Sequence, residues 1–176
     1  VLTPIEYSDN PSLDMSDVLC LEKIVSIAKS GWVDESHFGT PCSSLCKAIT
    51  PPWRSTEHPE GVPHLSEPSR AKVIQGNLLS SVAAHLISVF ALLDIGVSDE
   101  NPKDSWHWAL PCMLKVLSTF LVHEALVDYC QYGMPWKKST RIRSNRRYIT
   151  KLSRICRGGH QHVVLRGYTS VDGMRV

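Results

Sequence analysis

The 176-residue sequence contains no apolar run long enough to cross a membrane. The longest run, 82–95, is interrupted by His85, Ser88 and Asp94 and falls short of the ~18 residues that a span needs. The first ten residues, VLTPIEYSDN, have neither the basic start nor the apolar centre of a secretory signal. We therefore predict no membrane span, and the 82–95 segment is predicted to lie in a buried helix.

The six cysteines lack the regular spacing of a disulfide framework, and no CxxC pair occurs among them. Several lie in apolar segments, where reduced cysteine packs as a small hydrophobic residue. This pattern predicts an intracellular protein in a reducing compartment rather than a disulfide-stabilised secreted domain.

Acidic residues are almost absent from the C-terminal part of the chain. From Lys137 onward there are 11 Lys and Arg residues and a single acid, Asp172, whereas residues 1–136 contain 8 basic and 16 acidic residues. Such asymmetry favours DNA, RNA or another acidic partner for residues 137–176. Pairing of these basic residues with the protein's own acidic face explains the same composition equally well.

Helical and strand patterns alternate along the chain, which predicts one α/β domain with some parallel strands. The predicted helices lie at 18–30, 69–93 and 110–122, and the predicted strands at 32–39, at the DENP of 99–102, at 124–133 and at 162–166. Five prolines in 50–68 predict a long irregular loop. We expect residues 1–136 to form the α/β core and residues 137–176 an irregular basic tail.

Two polar motifs end predicted strands. Cys42 follows Pro41 directly in FGTPCSS, and Glu100 lies in DENP. Proline cannot donate a hydrogen bond to a sheet ladder, so both motifs are expected at strand ends. A thiolate in such a place could act as a nucleophile and a carboxylate as an acid or base, provided that the two line one cleft. For Cys42 alone, core packing is the alternative.

FGTPCSS resembles the Pro-Cys nucleophile motif of the cytosine-5 DNA methyltransferases, and DENP resembles their Glu-Asn-Val or Glu-Asn-Pro motif, in the same order and with a long helix between them. SLDMSD and VDYCQYGMPWKKST are similar to two further segments of that family. More narrowly, PCSS, WRSTEHPEG, ENPKDSW and YGMPWKKSTRI resemble a divergent branch found in viruses and mobile elements. The resemblance covers 12–145 and implies a Rossmann-like methyltransferase sheet with flanking helices.

The resemblance also implies roles for individual residues. Cys42 would add as a thiolate to carbon 6 of a cytosine flipped out of the DNA duplex, and Glu100 would hydrogen-bond the base. The methyl group would come from S-adenosylmethionine, whose adenine Asp14 would contact. The implied substrate contacts are Arg54, Lys137, Lys138, Arg141 and Arg143, and Arg54 is expected to favour ionisation of the thiol.

Three features of the family have no counterpart in this sequence. They are the glycine-rich loop that holds the methionine end of S-adenosylmethionine, the target-recognition domain and the closing motif. In addition, Asp99 stands where the family has an apolar residue, which costs stability unless the carboxylate is paired. We therefore expect an incomplete sheet, completed by a partner protein or a further segment. Two hypotheses stay open: a methyltransferase-like domain, whether active or inactive alone, and a non-catalytic structural or nucleic-acid-binding subunit derived from that fold.

The segment CRGGHQH is a candidate zinc site, because cysteine and histidine at this spacing can bind zinc. Its candidate ligands are Cys156, His160 and His162, with Cys130 or Cys112 as a fourth. Two histidines two residues apart also share one face of a strand without any metal, so ordinary surface histidines are the alternative.

Overall fold

The computed structural model describes residues 13–164 together with the backbone of residues 170–171 and 174–175. Its helices are α1 (Val18–Lys29), α2 (Glu67–Leu92) and α3 (Pro111–Thr119). Its strands are β1 (Glu35–Gly39), β2 (Gly96–Pro102), β3 (His123–Asp128), β4 (Ser139–Ser144), β5 (Ser170–Val171) and β6 (Met174–Arg175). Within residues 14–164, 3₁₀ helices occupy Trp106–Ala109, Tyr129–Tyr132 and Arg147–Leu152.

Four of the strands form one mixed sheet in the order β1-β2-β4-β3, and β5 and β6 pair separately. β1 and β2 are parallel and are joined by α2, whereas β4 runs antiparallel to both of its neighbours. Gly39 pairs with Glu100, so β1 and β2 end at the same edge of the sheet. The predicted α/β class with parallel strands is confirmed.

The helices begin and end where the sequence provides the signals. Asp17 caps α1 by accepting a hydrogen bond from the backbone N–H of Leu19 at 2.8 Å, and Gly31 follows α1 with a φ of +76°. Pro68 lies in the first turn of α2, where its missing N–H costs nothing. The predicted helices at 18–30 and 69–93 are therefore confirmed to within about two residues at each end.

The hydrophobic core lies between α2 and the sheet, and α1 and α3 pack against the same helix. Small residues on α2, among them Ala83 and Ala84, allow this close packing from several sides. Although the sequence has no unbroken apolar run of that length, α2 as a whole could cross a membrane by its length and mean composition, but half of its most apolar 18-residue window is buried in the protein. A core helix of a globular protein has the same properties, which agrees with the buried helix predicted at 82–95.

β4 corrects the predicted boundary at residue 137. The segment expected to begin an irregular basic tail instead supplies a strand between β2 and β3. Its Thr140 and Ser144 are buried, while Arg141 and Arg143 point to the opposite face and both pair with Glu124. Arginine can lie along a sheet when its charge is paired, and the basic composition concealed the alternating pattern of a strand.

Two other predicted strands differ from the structure. β3 ends at Asp128 rather than at Gly133, because the chain turns into the 3₁₀ helix Tyr129–Tyr132, and Gly133 (φ +90°) ends that helix. The strand predicted at 162–166 lies partly outside the described residues, and its described part, 162–164, is irregular. The proline-rich loop is confirmed, since 50–66 contains no helix or strand.

Candidate active site and Cys/His cluster

Cys42 and Glu100 lie at the carboxyl ends of the two parallel strands. Cys42 follows the last residue of β1 by three positions, and Glu100 is the β2 partner of that last residue. Asn101 Nδ2 donates a hydrogen bond to the Thr40 carbonyl at 2.7 Å, which ties the end of β2 to the loop that holds Cys42. Both Cys42 and Glu100 are half-buried. Ligands of α/β sheets bind at this edge, so the predicted pair occupies a favourable position.

Lys138, the residue before β4, lies beside Glu100, and its positive charge acts on Cys42. Its Nζ lies 3.8 Å from Glu100 Oε1. The pKa of the Cys42 thiol is raised above its ordinary value, mainly by burial; Lys138 lowers it, and Cys46 and Glu100 raise it further. The thiol is therefore mostly protonated at neutral pH, and Lys138 is the cation available to stabilise its thiolate.

Buried polar atoms without a hydrogen bond concentrate beside this site. In the described part of the chain they are Asp99 Oδ1, Glu100 Oε1, Asn101 Oδ1, Thr140 Oγ1 and Arg141 Nε, all on β2 or β4. Arg141 Nε has an ion-pair partner, Glu124 Oε2, at 3.2 Å. The 3.8 Å contact of Glu100 with Lys138 is too long for a hydrogen bond. Buried polar groups are normally satisfied, so Glu100 Oε1, whose side chain is partly exposed, can accept a hydrogen bond from a ligand, whereas Asp99 is 0% exposed and cannot be reached.

Asp99 belongs to a buried hydrogen-bonded series. Its Oδ2 lies 2.8 Å from His107 Nε2, and His107 Nδ1 lies 3.0 Å from Ser80 Oγ on α2. Serine, histidine and aspartate in this order could suggest a hydrolase. All three are 0% exposed, however, so no substrate reaches them. The contact with His107 instead gives a partner to the Asp99 carboxylate, which is buried on β2.

Arg54 is buried in the protein, which corrects its predicted roles. Only 2% of the residue is exposed. Its guanidinium donates hydrogen bonds to the carbonyls of Ser44, Pro59 and Val73 and to Asn77 Oδ1. It therefore holds the loop of 40–66 against α2, and neither a substrate contact nor the activation of Cys42 fits this placement. The charge that lowers the pKa of Cys42 is that of Lys138.

The remaining predicted substrate contacts form ion pairs within the chain. Lys137 Nζ lies 3.9 Å from Asp128, and Arg143 Nη1 lies 3.1 Å from Glu124, which Arg141 also contacts. The two lysine side chains are 45% and 38% exposed, whereas those of Arg141 and Arg143 are 29% and 21% exposed. The lysines are therefore the more accessible to an acidic partner, and the arginines serve the sheet.

Asp14 lies in the turn before α1, where its Oδ1 accepts hydrogen bonds from the backbone N–H and the hydroxyl of Ser16 at 2.8 and 2.6 Å. These bonds lower the pKa of the Asp14 carboxyl. The structure thus gives Asp14 a local role in starting the helix, and no described residue links it to Cys42 or Glu100.

A Cys/His cluster that could hold a metal ion lies just beyond the carboxyl end of β3, at the sheet edge where β2 also ends. Its ligand atoms, from Cys130, Cys156, His160 and His162, lie within 4.8 Å of one another. The structure therefore selects Cys130 as the fourth member, while Cys112, the other candidate, lies on α3. Sequence spacing could not make this choice, because Cys130 reaches the cluster through the turn after β3.

The electrostatic effect of Lys138 on the Cys42 thiol was also missed, because β4 was not recognised as a strand and its register against β2 was unknown.

Comparison with protein-family models, curated proteins and solved structures found no match to this chain.

Proposed function

We propose that the chain carries the base-activating part of a cytosine-5 DNA methyltransferase-like domain, with Cys42 as the nucleophile and Glu100 as the carboxylate that binds the base. One observation carries the proposal: two motifs separated by α2 in the sequence meet at the carboxyl edge of adjacent parallel strands, and the charge of Lys138, which lies beside Glu100, acts on Cys42. The order of these motifs is the one that the resemblance to the family implies.

The chemistry requires a nucleophile because carbon 5 of cytosine reacts poorly with electrophiles. Cys42 Sγ would bond to carbon 6, and the electron pair of the carbon 5–carbon 6 double bond would move toward the ring nitrogen, where a protonated Glu100 supplies a hydrogen bond. Carbon 5 then becomes an enamine carbon that accepts an electrophile. Loss of the carbon 5 proton and departure of the thiolate restore the ring.

Lys138 would stabilise the thiolate in this step. Burial raises the pKa of Cys42, so formation of the thiolate needs a neighbouring positive charge. The unpaired Glu100 Oε1 offers the hydrogen-bonding position that a base would fill. DNA or RNA would enter past the exposed lysines, and the base must leave its stack to reach the thiol.

S-adenosylmethionine is the methyl donor that the resemblance implies, but the described residues do not fit it by themselves. The segments after β1 and β2, Thr40-Pro41-Cys42 and Lys103-Asp104-Ser105, contain no glycine-rich turn. Asp14, the one candidate contact, already bonds to Ser16. We therefore derive no methyl-transfer step for this chain, and assign the methyl donor to a partner protein or a further segment.

Exchange of the carbon 5 hydrogen tests the proposal without a cofactor. Once the thiolate has added to carbon 6, carbon 5 can take a proton from water, so cytosine in DNA should exchange that hydrogen for deuterium. The protein is incubated with mixed-sequence single-stranded and duplex DNA in heavy water, and the deuterium content of the recovered cytosine is measured by mass spectrometry. Cys42→Ser should abolish the exchange.

Cys46→Ser is the matched control, since Cys46 is a half-buried thiol on the same loop; it should keep the exchange or speed it slightly, because Cys46 raises the pKa of Cys42. Glu100→Gln should slow exchange by about 10²–10⁴-fold, the usual contribution of a positioned acid or base. Exchange that survives Cys42→Ser at the wild-type rate would refute the assignment of the nucleophile.

A non-catalytic nucleic-acid-binding subunit is the second candidate. The raised pKa of Cys42 favours it, because a thiol that stays protonated is a poor nucleophile. It accounts equally well for the exposed lysines at the start of β4. DNA binding that weakens with salt, without any exchange of the carbon 5 hydrogen, is the result that supports this candidate over the first.

A further inference from the structure

We propose that Cys130, Cys156, His160 and His162 form a tetrahedral zinc site that fastens the segment after residue 152 to the β3–β4 turn. The proposal does not depend on the function proposed for Cys42. The four ligand atoms lie within 4.8 Å of one another, with Cys156 Sγ 3.8 Å from His160 Nε2 and 3.5 Å from His162 Nε2.

The distances from Cys156 Sγ to the two histidines, but not every separation within the 4.8 Å cluster, are close to those of a tetrahedral zinc site. With Zn–S near 2.3 Å and Zn–N near 2.0–2.1 Å, the sulfur–nitrogen edge of the tetrahedron is about 3.5–3.6 Å and its longest edge, between two sulfurs, is about 3.8 Å. The Cys156–histidine distances therefore match a site that needs only small side-chain movements to close on the ion. Two thiolates and two imidazoles in tetrahedral arrangement select zinc over magnesium or calcium, which prefer oxygen ligands.

The backbone between the ligands is shaped to bring them together. Gly158 and Gly159 both have a φ of +86°, a conformation that other residues adopt rarely, and they turn the chain back so that His160 approaches Cys156. Within the turn, the N–H of Gly158 donates to Cys156 Sγ at 3.4 Å. Such a hydrogen bond stabilises a thiolate, which is the form that binds zinc.

Hydrogen bonds to Asp128 hold Cys156 in place. The N–H of Cys156 donates to Asp128 Oδ2 at 2.7 Å, and Ser139 Oγ donates to Asp128 Oδ1 at 2.5 Å. Asp128 thus joins the end of β3, the start of β4 and the Cys156 loop. Outer-shell partners of this kind orient the ligands of metal sites.

The zinc site would add to a few backbone hydrogen bonds that attach the segment after residue 152 to β3 and to the β3–β4 turn. Two residues before Cys156, the N–H of Arg154 donates to the Leu126 carbonyl, and the Arg154 carbonyl accepts from the N–H of Asp128. Downstream, the N–H of Val163 donates to the Pro135 carbonyl at 2.8 Å. These few bonds hold a segment that is largely exposed, so binding free energy from zinc would contribute directly to its order. Lys138 follows Pro135 by three residues and would be held in place with it.

Zinc content and thermal stability test the site in the full chain. Protein refolded with zinc should contain one zinc per chain by mass spectrometry of the metal, and a chelator should lower its melting temperature. Replacement of zinc by cobalt should give the visible absorption of a tetrahedral cobalt–thiolate complex. Because His160 is exposed, His160→Ala should fold and should weaken zinc binding by more than the ~10–100-fold that loss of an outer-shell partner costs.

Cys112→Ser is the control, because Cys112 is a half-buried thiol outside the cluster and its loss should leave zinc binding unchanged. Cys156→Ser should remove the cobalt–thiolate absorption or greatly weaken it. The proposal is overturned if the wild-type chain takes up no zinc, if His160→Ala binds zinc as tightly as the wild type, or if Cys130 and Cys156 are found joined in a disulfide.

Discussion

The substitution Arg54→Met should strongly destabilise the protein, because it removes a charged hydrogen-bonding centre that is buried between the loop of 40–66 and α2. The guanidinium donates to Ser44 O at 2.8 Å, Pro59 O at 2.6 Å, Asn77 Oδ1 at 2.6 Å and Val73 O at 3.2 Å. Methionine has a similar length and fills much of the same volume, so the change mainly tests the hydrogen bonds.

The expected cost follows from the acceptors that would be left behind. Four oxygens lose a donor, and each buried, unsatisfied polar group costs about 1–3 kcal/mol. Relief of the desolvation of the guanidinium offsets part of this sum, since a buried charge is itself costly. Water can also reach the acceptor on Pro59, whose hydrogen bond is only partly buried. We therefore expect a loss of about 3–5 kcal/mol in the free energy of unfolding, which is a large part of the total for a domain.

Close packing around Arg54 limits the ways in which the protein could adjust. A Cβ atom at Gly76 on α2 would lie 2.2 Å from Ser44 Oγ and 3.3 Å from an Arg54 nitrogen, so the loop presses directly on the helix there. The loop cannot move closer to α2 to replace the lost bonds, and a cavity or entering water would result.

Urea unfolding followed by circular dichroism measures this loss, with Arg147→Met as the control because Arg147 is exposed on a 3₁₀ helix. The control should change the free energy of unfolding by no more than about 0.5 kcal/mol. If Arg54→Met lowers the free energy of unfolding by less than about 1 kcal/mol, and the slope of that free energy against urea concentration is unchanged, Arg54 does not have this structural role.

Two further predictions concern the buried and half-buried charges. The rate at which iodoacetamide alkylates Cys42 should rise with pH around a pKa above that of an ordinary thiol. Lys138→Met should raise that pKa further, because a positive charge that favours the thiolate is removed. A lower pKa in the variant would contradict this role of Lys138. His107→Phe should lower the free energy of unfolding, measured by urea denaturation, by about 3–5 kcal/mol, because Asp99 would be left buried without its partner. The double variant His107→Phe/Asp99→Leu should recover much of this loss. Equal losses in the single and double variants would show that the pair contributes little.

The long apolar patterns were the most predictable part of the fold. α2 and β2 were located to within a few residues because apolar spacing, Pro68 and the Asn-Pro of DENP define their limits. β4 was missed for the opposite reason. Its Arg141 and Arg143 lie on the sheet only because Glu124 on the neighbouring strand pairs with them, and that neighbour is known only once the sheet order is known.

The candidate site was predictable in its strand-end residues but not in its charges. Cys42 and Glu100 follow from proline and strand-end chemistry, which are local properties of the sequence. Whether the charge of Arg54 or that of Lys138 acts on the thiol depends on how the proline-rich loop folds against α2, and nothing local distinguishes a buried arginine from an exposed one. The fourth member of the Cys/His cluster depends in the same way on the turn after β3.

The charges around Cys42 suggest how the proposed chemistry could be coupled to binding of a base. The ionised Glu100 carboxylate raises the pKa of Cys42, and it also lies beside Lys138, whose charge acts in the opposite direction. Under the proposed function Glu100 must carry a proton to donate a hydrogen bond to the ring nitrogen. That protonation removes one of the three influences that raise the pKa of Cys42, the others being burial and Cys46, so the thiolate becomes more favourable when a base occupies Glu100. A thiol that is protonated in the free protein is therefore compatible with a nucleophile that forms only when the base is bound.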